Sequence, residues 1–193
     1  MDVVFGLDVS TSIVGWSVAA ADAVSGDLPL MDGYIDLRKI KDGFWAKVDH
    51  VRQALRDVTG KIWLADHKIV CVAIEDPVKK FKRGASSADT ISLLGRFNAL
   101  VSFFARSLTA LDPLYLEVSR ARNTIGLKLV SRKKADGLGH KEQTFQQLNE
   151  TVFKDRVWDL NRNGKIQPYC WDVVDAFVIA MAGVIDVQKN ASE

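Results

Sequence analysis

Two cysteines, Cys71 and Cys170, and three histidines, His50, His67 and His140, are the only thiol and imidazole ligands in the 193 residues. The cysteines are far apart and no CxxC spacing occurs, which argues against a structural zinc site. Cys71 lies in an apolar run and reads as a small core residue. A metal centre in this chain would have to be built from oxygen ligands. No apolar stretch approaches the roughly 20 residues that cross a bilayer as a helix, so no membrane partner is expected. The start, Met1-Asp2 followed by a strand-like run, has neither the basic nor the apolar region of a signal peptide. These absences predict a soluble, cytoplasmic protein. The net charge is only +2, and no repeat, low-complexity tract or linker interrupts the chain.

What is present is a large apolar fraction, 48%, enough for one domain over residues 1–193 with a sizeable core. Val3 to Leu7 is a nearly continuous apolar run, the pattern of a strand buried on both faces. Val14 to Ala20 and Leu30 to Leu37 follow at short spacing and predict an antiparallel meander. Val48, Val51, Leu55, Val58 and Ile62 recur every three or four residues and predict a helix from Phe44 to about Asp66. Ile69 to Ile74, coming after that helix, predicts a central parallel strand. Ser86 or Ser87 would cap a helix running to about Ala110. Leu114 to Val118 reads as a short strand, and Ser119 to Gly139 as a helical turn plus a mobile loop. Helices are expected from about His140 to Phe153 and from about Trp171 to Val187, the latter apolar on most sides. The fold class is therefore α/β: a mixed sheet of three antiparallel and two parallel strands, flanked by helices.

The distribution of charge says more than its sum. Lys79, Lys80, Lys82 and Arg83 form one basic cluster, and Arg120, Arg122, Lys128, Arg132, Lys133, Lys134 and Lys141 a second, opposed only by Asp136. Any single run of this kind reads as a solvated loop; two of them also fit the footprint of a polyanion.

The carboxylates raise the sharper question. Asp8 appears where the first buried strand should end, followed by Ser10, Thr11 and Ser12. By itself it is equally a turn cap and a cation ligand. Glu75 ends the second buried strand in the same manner, and Asp172 and Asp175, three apart, share a face of the last helix. Acidic residues suit a helix N-terminus, but the strongly apolar sequence after them is poor surface. If all four converge, their repulsion demands cations. Magnesium, with its preference for a few carboxylates plus phosphate oxygens, fits that demand. Two ions roughly 3.5–4 Å apart would serve displacement at a phosphodiester.

These residues carry a resemblance. Phe5-Gly6-Leu7-Asp8 with Ser10 and Gly15-Trp16, Ala73-Ile74-Glu75, Leu94-Gly95-Arg96, and Asp172-Val173-Val174-Asp175-Ala176 resemble, in order, the motifs of the RuvC family within the RNase H-like nuclease superfamily. The resemblance implies an RNase H-like fold and a homodimeric, metal-dependent endonuclease. That enzyme would nick four-way (Holliday) DNA junctions symmetrically. It makes Asp8, Glu75, Asp172 and Asp175 ligands of Mg2+, two ions with Mn2+ as a substitute, and Lys141 an aid at the scissile phosphate. Phe81 falls in the loop where the family places an aromatic at the crossover, although the spacing from Glu75 is longer here. The basic residues Lys79, Lys80, Lys82, Arg83, Arg120, Arg122, Lys128, Arg132, Lys133 and Lys134 would contact DNA. Two departures stand out. A second family lysine aligns to Ala121, between Arg120 and Arg122, and Leu129 to Leu138 reads as an insertion. Divergence of this kind fits a phage-encoded enzyme acting in a bacterial or infected-host cytoplasm.

Two rivals share parts of this pattern. A branched-DNA nuclease acting on flaps or forks would need the same carboxylates. An actin-like or sugar-kinase phosphotransferase has a phosphate loop similar to Asp8-Val9-Ser10-Thr11-Ser12, but it normally pairs two domains of this size.

Overall fold

The computed structural model describes residues 1–76 and 87–192. The predicted contacts Lys79, Lys80, Phe81, Lys82 and Arg83 lie outside the described residues. Strands β1 (Asp2–Val9), β2 (Ile13–Ala20), β3 (Met31–Asp36), β4 (Lys68–Glu75) and β5 (Leu114–Leu116) form a five-stranded sheet in the order β3-β2-β1-β4-β5. The β1/β2 and β2/β3 pairs are antiparallel, and the β1/β4 and β4/β5 pairs parallel. This is the mixed sheet that the sequence predicts.

The unbroken apolar run of β1 divides between two layers, as its period of two requires. Val3, Phe5 and Leu7 pack into one core with helix α1 (Phe44–Leu64) and helix α2 (Ala88–Thr109). Val4 belongs to the other, beneath helix α5 (Pro168–Asn190) and helix α4 (His140–Thr151). Burial on both faces is why β1 shows no polar alternation.

Two glycines set the height of α5 above the sheet. A Cβ on Gly6 would stand 2.5 Å from the Ala176 carbonyl oxygen, and one on Gly15 would collide with the Asp172 backbone. Only glycine lets the strands approach the helix this closely, so the Asp172 backbone rests directly on β2.

Two boundaries and one connecting segment differ from expectation. Helix α5 begins one turn earlier, at Pro168, a residue suited to a first helical position. Asp172 and Asp175 therefore lie in the second and third turns, where the macrodipole no longer accounts for them. Strand β5 ends at Leu116, because Val118 already opens helix α3 (Val118–Thr124), which buries Ala121 and Arg122 against α5. The segment after α3 is tied down rather than free. Gln147 exchanges hydrogen bonds with the Lys128 backbone at 3.1 and 3.0 Å. Gln143 likewise accepts from Val130 N and donates to Val130 O and Leu138 O, all at 3.0 Å. Among the described residues no helix is long and apolar enough to cross a membrane.

Candidate active site

Asp8 and Glu75 sit near the C-terminal ends of neighbouring parallel strands, and this adjacency brings their carboxyls together. The turn beyond Asp8 is built by Ser10. Its Oγ accepts from Ser12 N and Ile13 N at 3.3 and 3.0 Å and donates to Ile13 O at 2.8 Å. Those bonds close the β1–β2 hairpin, so the hydroxyl run is a turn that holds Asp8 at the strand end. Glu75 is steadied from α2, where Asn98 Nδ2 donates to its backbone carbonyl at 3.0 Å.

The other two acids come from α5, and Lys141 in the first turn of α4 joins them. Its Nζ lies 2.5 Å from Asp172 Oδ1, 3.2 Å from Asp175 Oδ2 and 3.7 Å from Asp8 Oδ2. The four predicted carboxylates and the predicted lysine thus form one cluster. Burial first, and then the charge of Glu75, hold the Asp8 carboxyl well above the ordinary carboxylate range, against the pull of Lys141. Burial also raises Asp172, with Lys141 and, more weakly, Arg38 opposing. For Lys141, burial disfavours the ammonium, but Asp8, Asp175 and Asp172 outweigh it and raise its pKa. The three carboxylates thus favour the charged form of Lys141.

Arg122 has a different place from the one expected of a phosphate contact. It is buried, and its Nη2 donates to Asp175 Oδ1 at 2.8 Å. The charge that the missing lysine would have carried at Ala121 enters the cluster one residue later, from an arginine packed under α3. Sequence reading had only the basic composition to go on; the pairing needs α3 to dock on α5. Arg120, Lys128, Arg132, Lys133 and Lys134 are exposed, in positions free to meet a solvent-borne polyanion. Asn98 and the two glutamines that pin the α3–α4 segment were missed as well. Asn98 left a faint signal, a polar residue beside the apolar stripe Phe97, Val101 and Ala105.

The donor set matches a hard divalent cation in kind: all oxygen, mostly buried, with more carboxylates than cations. Among the described residues no three acidic, histidine or cysteine groups are spaced to grip an ion as they stand. The Lys141 ammonium takes the central position among the acids.

Sheet order, strand directions and the acid cluster at the strand ends define an RNase H-like α/β fold. Two solved structures share it over nearly the whole chain. Thermus thermophilus RuvC in complex with a Holliday junction substrate superposes with a TM-score of 0.62 at 12% identity, over 98% of this chain and 96% of that one. A second Thermus thermophilus RuvC structure gives a TM-score of 0.57 at 14% identity, over 97% and 96%. No protein-family model and no curated protein sequence matches the chain.

Proposed function

We propose that residues 1–193 form a single nuclease domain, a structure-selective endodeoxyribonuclease that resolves four-way DNA junctions by paired nicks. The observation that carries this reading is the convergence of Asp8, Asp172 and Asp175 on Lys141, with Glu75 beside Asp8, at one end of a RuvC-like sheet. A cluster so rich in buried carboxylate is electrostatically costly and is explained by a cationic cofactor. Asp8, Glu75, Asp172 and Asp175 would hold Mg2+, with Mn2+ as a substitute. Two such ions, when bound, supply an activated water and stabilise the leaving oxygen of the phosphodiester. Lys141, its charge favoured by the neighbouring acids, would orient a phosphate oxygen beside the carboxylates. Arg122 holds Asp175 in a single orientation from below. The exposed cations Arg120, Lys128, Arg132, Lys133 and Lys134, with Lys79, Lys80, Phe81, Lys82 and Arg83, would bind the arms.

Paired nicks require two centres, and the outer face of α2 offers a seam for a homodimer. Phe103 and Leu93 are 60% and 40% exposed there, with Ala99 between them. The working compartment is the cytoplasm of a bacterium or of a phage-infected host.

The test offers the purified chain a four-way junction, a flap, a fork and linear duplex, with magnesium or manganese. Symmetrical paired nicks confined to the four-way junction, and their loss in Asp8→Asn by at least ~100-fold, support the reading. Equal cutting of every branched form would indicate a general debranching nuclease. Full activity of Asp8→Asn would remove the metal-ligand assignment, and phosphorylation of a small molecule by ATP would overturn the nuclease class.

A further inference from the structure

A cavity of about 350 Å³ opens beside the carboxylate centre, between the β1–β2 turn, the β3–α1 connection and α2. Its polar lining is Thr11, Arg38, Lys41 and Lys47, over an apolar floor that includes Phe44 and Phe97. Among the described residues no carboxylate lines it. Lys47 Nζ donates to the Thr11 carbonyl at 2.8 Å, which leaves the rest of the ammonium for another acceptor. Arg38 donates from Nε and Nη2 to Asp36, both at 2.9 Å, and its Nη1 group takes part in neither bond. Lys41 is exposed and forms no ion pair among the described residues. Three cations line one cavity, with only Asp36 in partial compensation, a lining of the sign that an anion would meet.

The cavity is held next to the reacting end of the sheet. Thr11 follows Asp8 by three residues, which limits their separation to about 10 Å. Leu37 N donates to Ser12 O at 2.9 Å and ties the end of β3 to the same turn. Arg38 lies over the Tyr169 ring at 5.7 Å, one helical turn before Asp172. With a rise of ~3.4 Å per nucleotide, the Thr11 end of the cavity is at most some three nucleotides from Asp8.

We propose that this cavity is a phosphate-binding subsite, in which Arg38, Lys41 and Lys47 hold a backbone phosphate of the cleaved strand within about three nucleotides of the scissile bond. The inference rests on the nuclease reading of the carboxylate centre. It adds a contact that fixes the register of the strand over Asp8 and Glu75. Sequence reading passed over these cations, because Asp36 and Asp42 dilute the charge of residues 36–47.

The experiment uses the full chain carrying Asp8→Asn, which keeps the DNA intact, with and without Lys41→Ala/Lys47→Gln. Both proteins are titrated in magnesium with four-way junctions that carry one neutral methylphosphonate, placed in turn one to five nucleotides either side of the bond that the wild type cuts. With both lysines present, neutralising one position within three nucleotides weakens binding roughly tenfold and lowers the salt slope by about 0.9. The double variant binds the unmodified junction as weakly and is blind to that same position. Lys41→Ala alone, at an exposed site, repeats the measurement if the double variant does not fold. Identical position profiles with and without the lysines, or a shared loss only beyond three nucleotides, overturn the subsite while leaving the nuclease reading intact. Failure of the wild type to cut any DNA removes both.

Discussion

Asp8 is the residue at which burial and charge oppose each other. Its carboxyl is buried beside Glu75 and holds its proton more tightly in the folded protein than in the unfolded chain. A folded-state pKa above the ordinary 3.8 means that this contribution to stability is complete in acid and is lost as the pH rises through the raised value. Metal-free wild type should therefore lose stability relative to Asp8→Asn as the pH rises above about 4. Melting curves in chelator across that range should show the variant melting higher at neutral pH, with the gap closing toward acid. Added magnesium should narrow the gap in the wild type's favour; a pH-independent difference would remove Asp8 from the buried pair. Arg122 shows the converse. Its bond to Asp175 compensates two buried charges at once, and removing one partner of such a pair typically costs about 3–5 kcal/mol. Arg122 is thereby a structural counter-charge, which explains why a basic residue lies in the buried layer under α3.

At the scale of elements, the carboxylate cluster depends on how closely α5 rests on β1 and β2. The helix is long and nearly all apolar, so burial alone would hold it against the sheet at many heights. Gly6 and Gly15 choose the lowest one. In Gly15→Ala the new methyl meets the Asp172 backbone and must displace it. Such overpacking costs about 1–3 kcal/mol. A displaced Asp172 should weaken magnesium binding more than it lowers the melting temperature. Isothermal titration with the metal, set beside thermal unfolding, checks this: an unaltered metal affinity would show that the helix height is not what places Asp172. Helix α4 works differently. It carries Lys141 into the cluster on one side, while Gln143 and Gln147 clamp the basic segment from Lys128 to Leu138 on the other. One short helix thus fixes both the central cation and the exposed charges beside it.

At the scale of the whole molecule, the two faces of the sheet differ in what they leave outside. The α5 face is closed by α3 and α4. The α1/α2 face leaves Phe103 and Leu93 on its outer surface, and an exposed phenylalanine on an otherwise amphipathic helix suits a second copy of the chain. Phe103→Glu should shift the protein toward monomer in sedimentation equilibrium. It should also convert paired nicks into single ones without abolishing cleavage. Retention of the dimer would move the seam elsewhere. The cationic cavity, the carboxylate centre and the exposed cations after α3 would then be traversed by one DNA strand in each half.

The sequence alone determined the sheet and the identity of the acids. Continuous apolar runs, short meander turns and helical spacing are local patterns, and the long burial of β1, β4 and α5 makes them strong. The acids were legible because each interrupts an apolar element at a place where a charge is costly. Three things were decided only by tertiary structure. The Arg122–Asp175 pair joins residues 53 apart in sequence. Lys141 became central because α4 docks beside α5, and the Arg38, Lys41 and Lys47 cavity formed because the β3–α1 connection folds against the Asp8 turn. Each depends on the distance between elements, which local pattern does not encode. Even the start of α5 followed this rule: Pro168 was free to begin a helix, and the next residue, Tyr169, stacks on Tyr34 of β3.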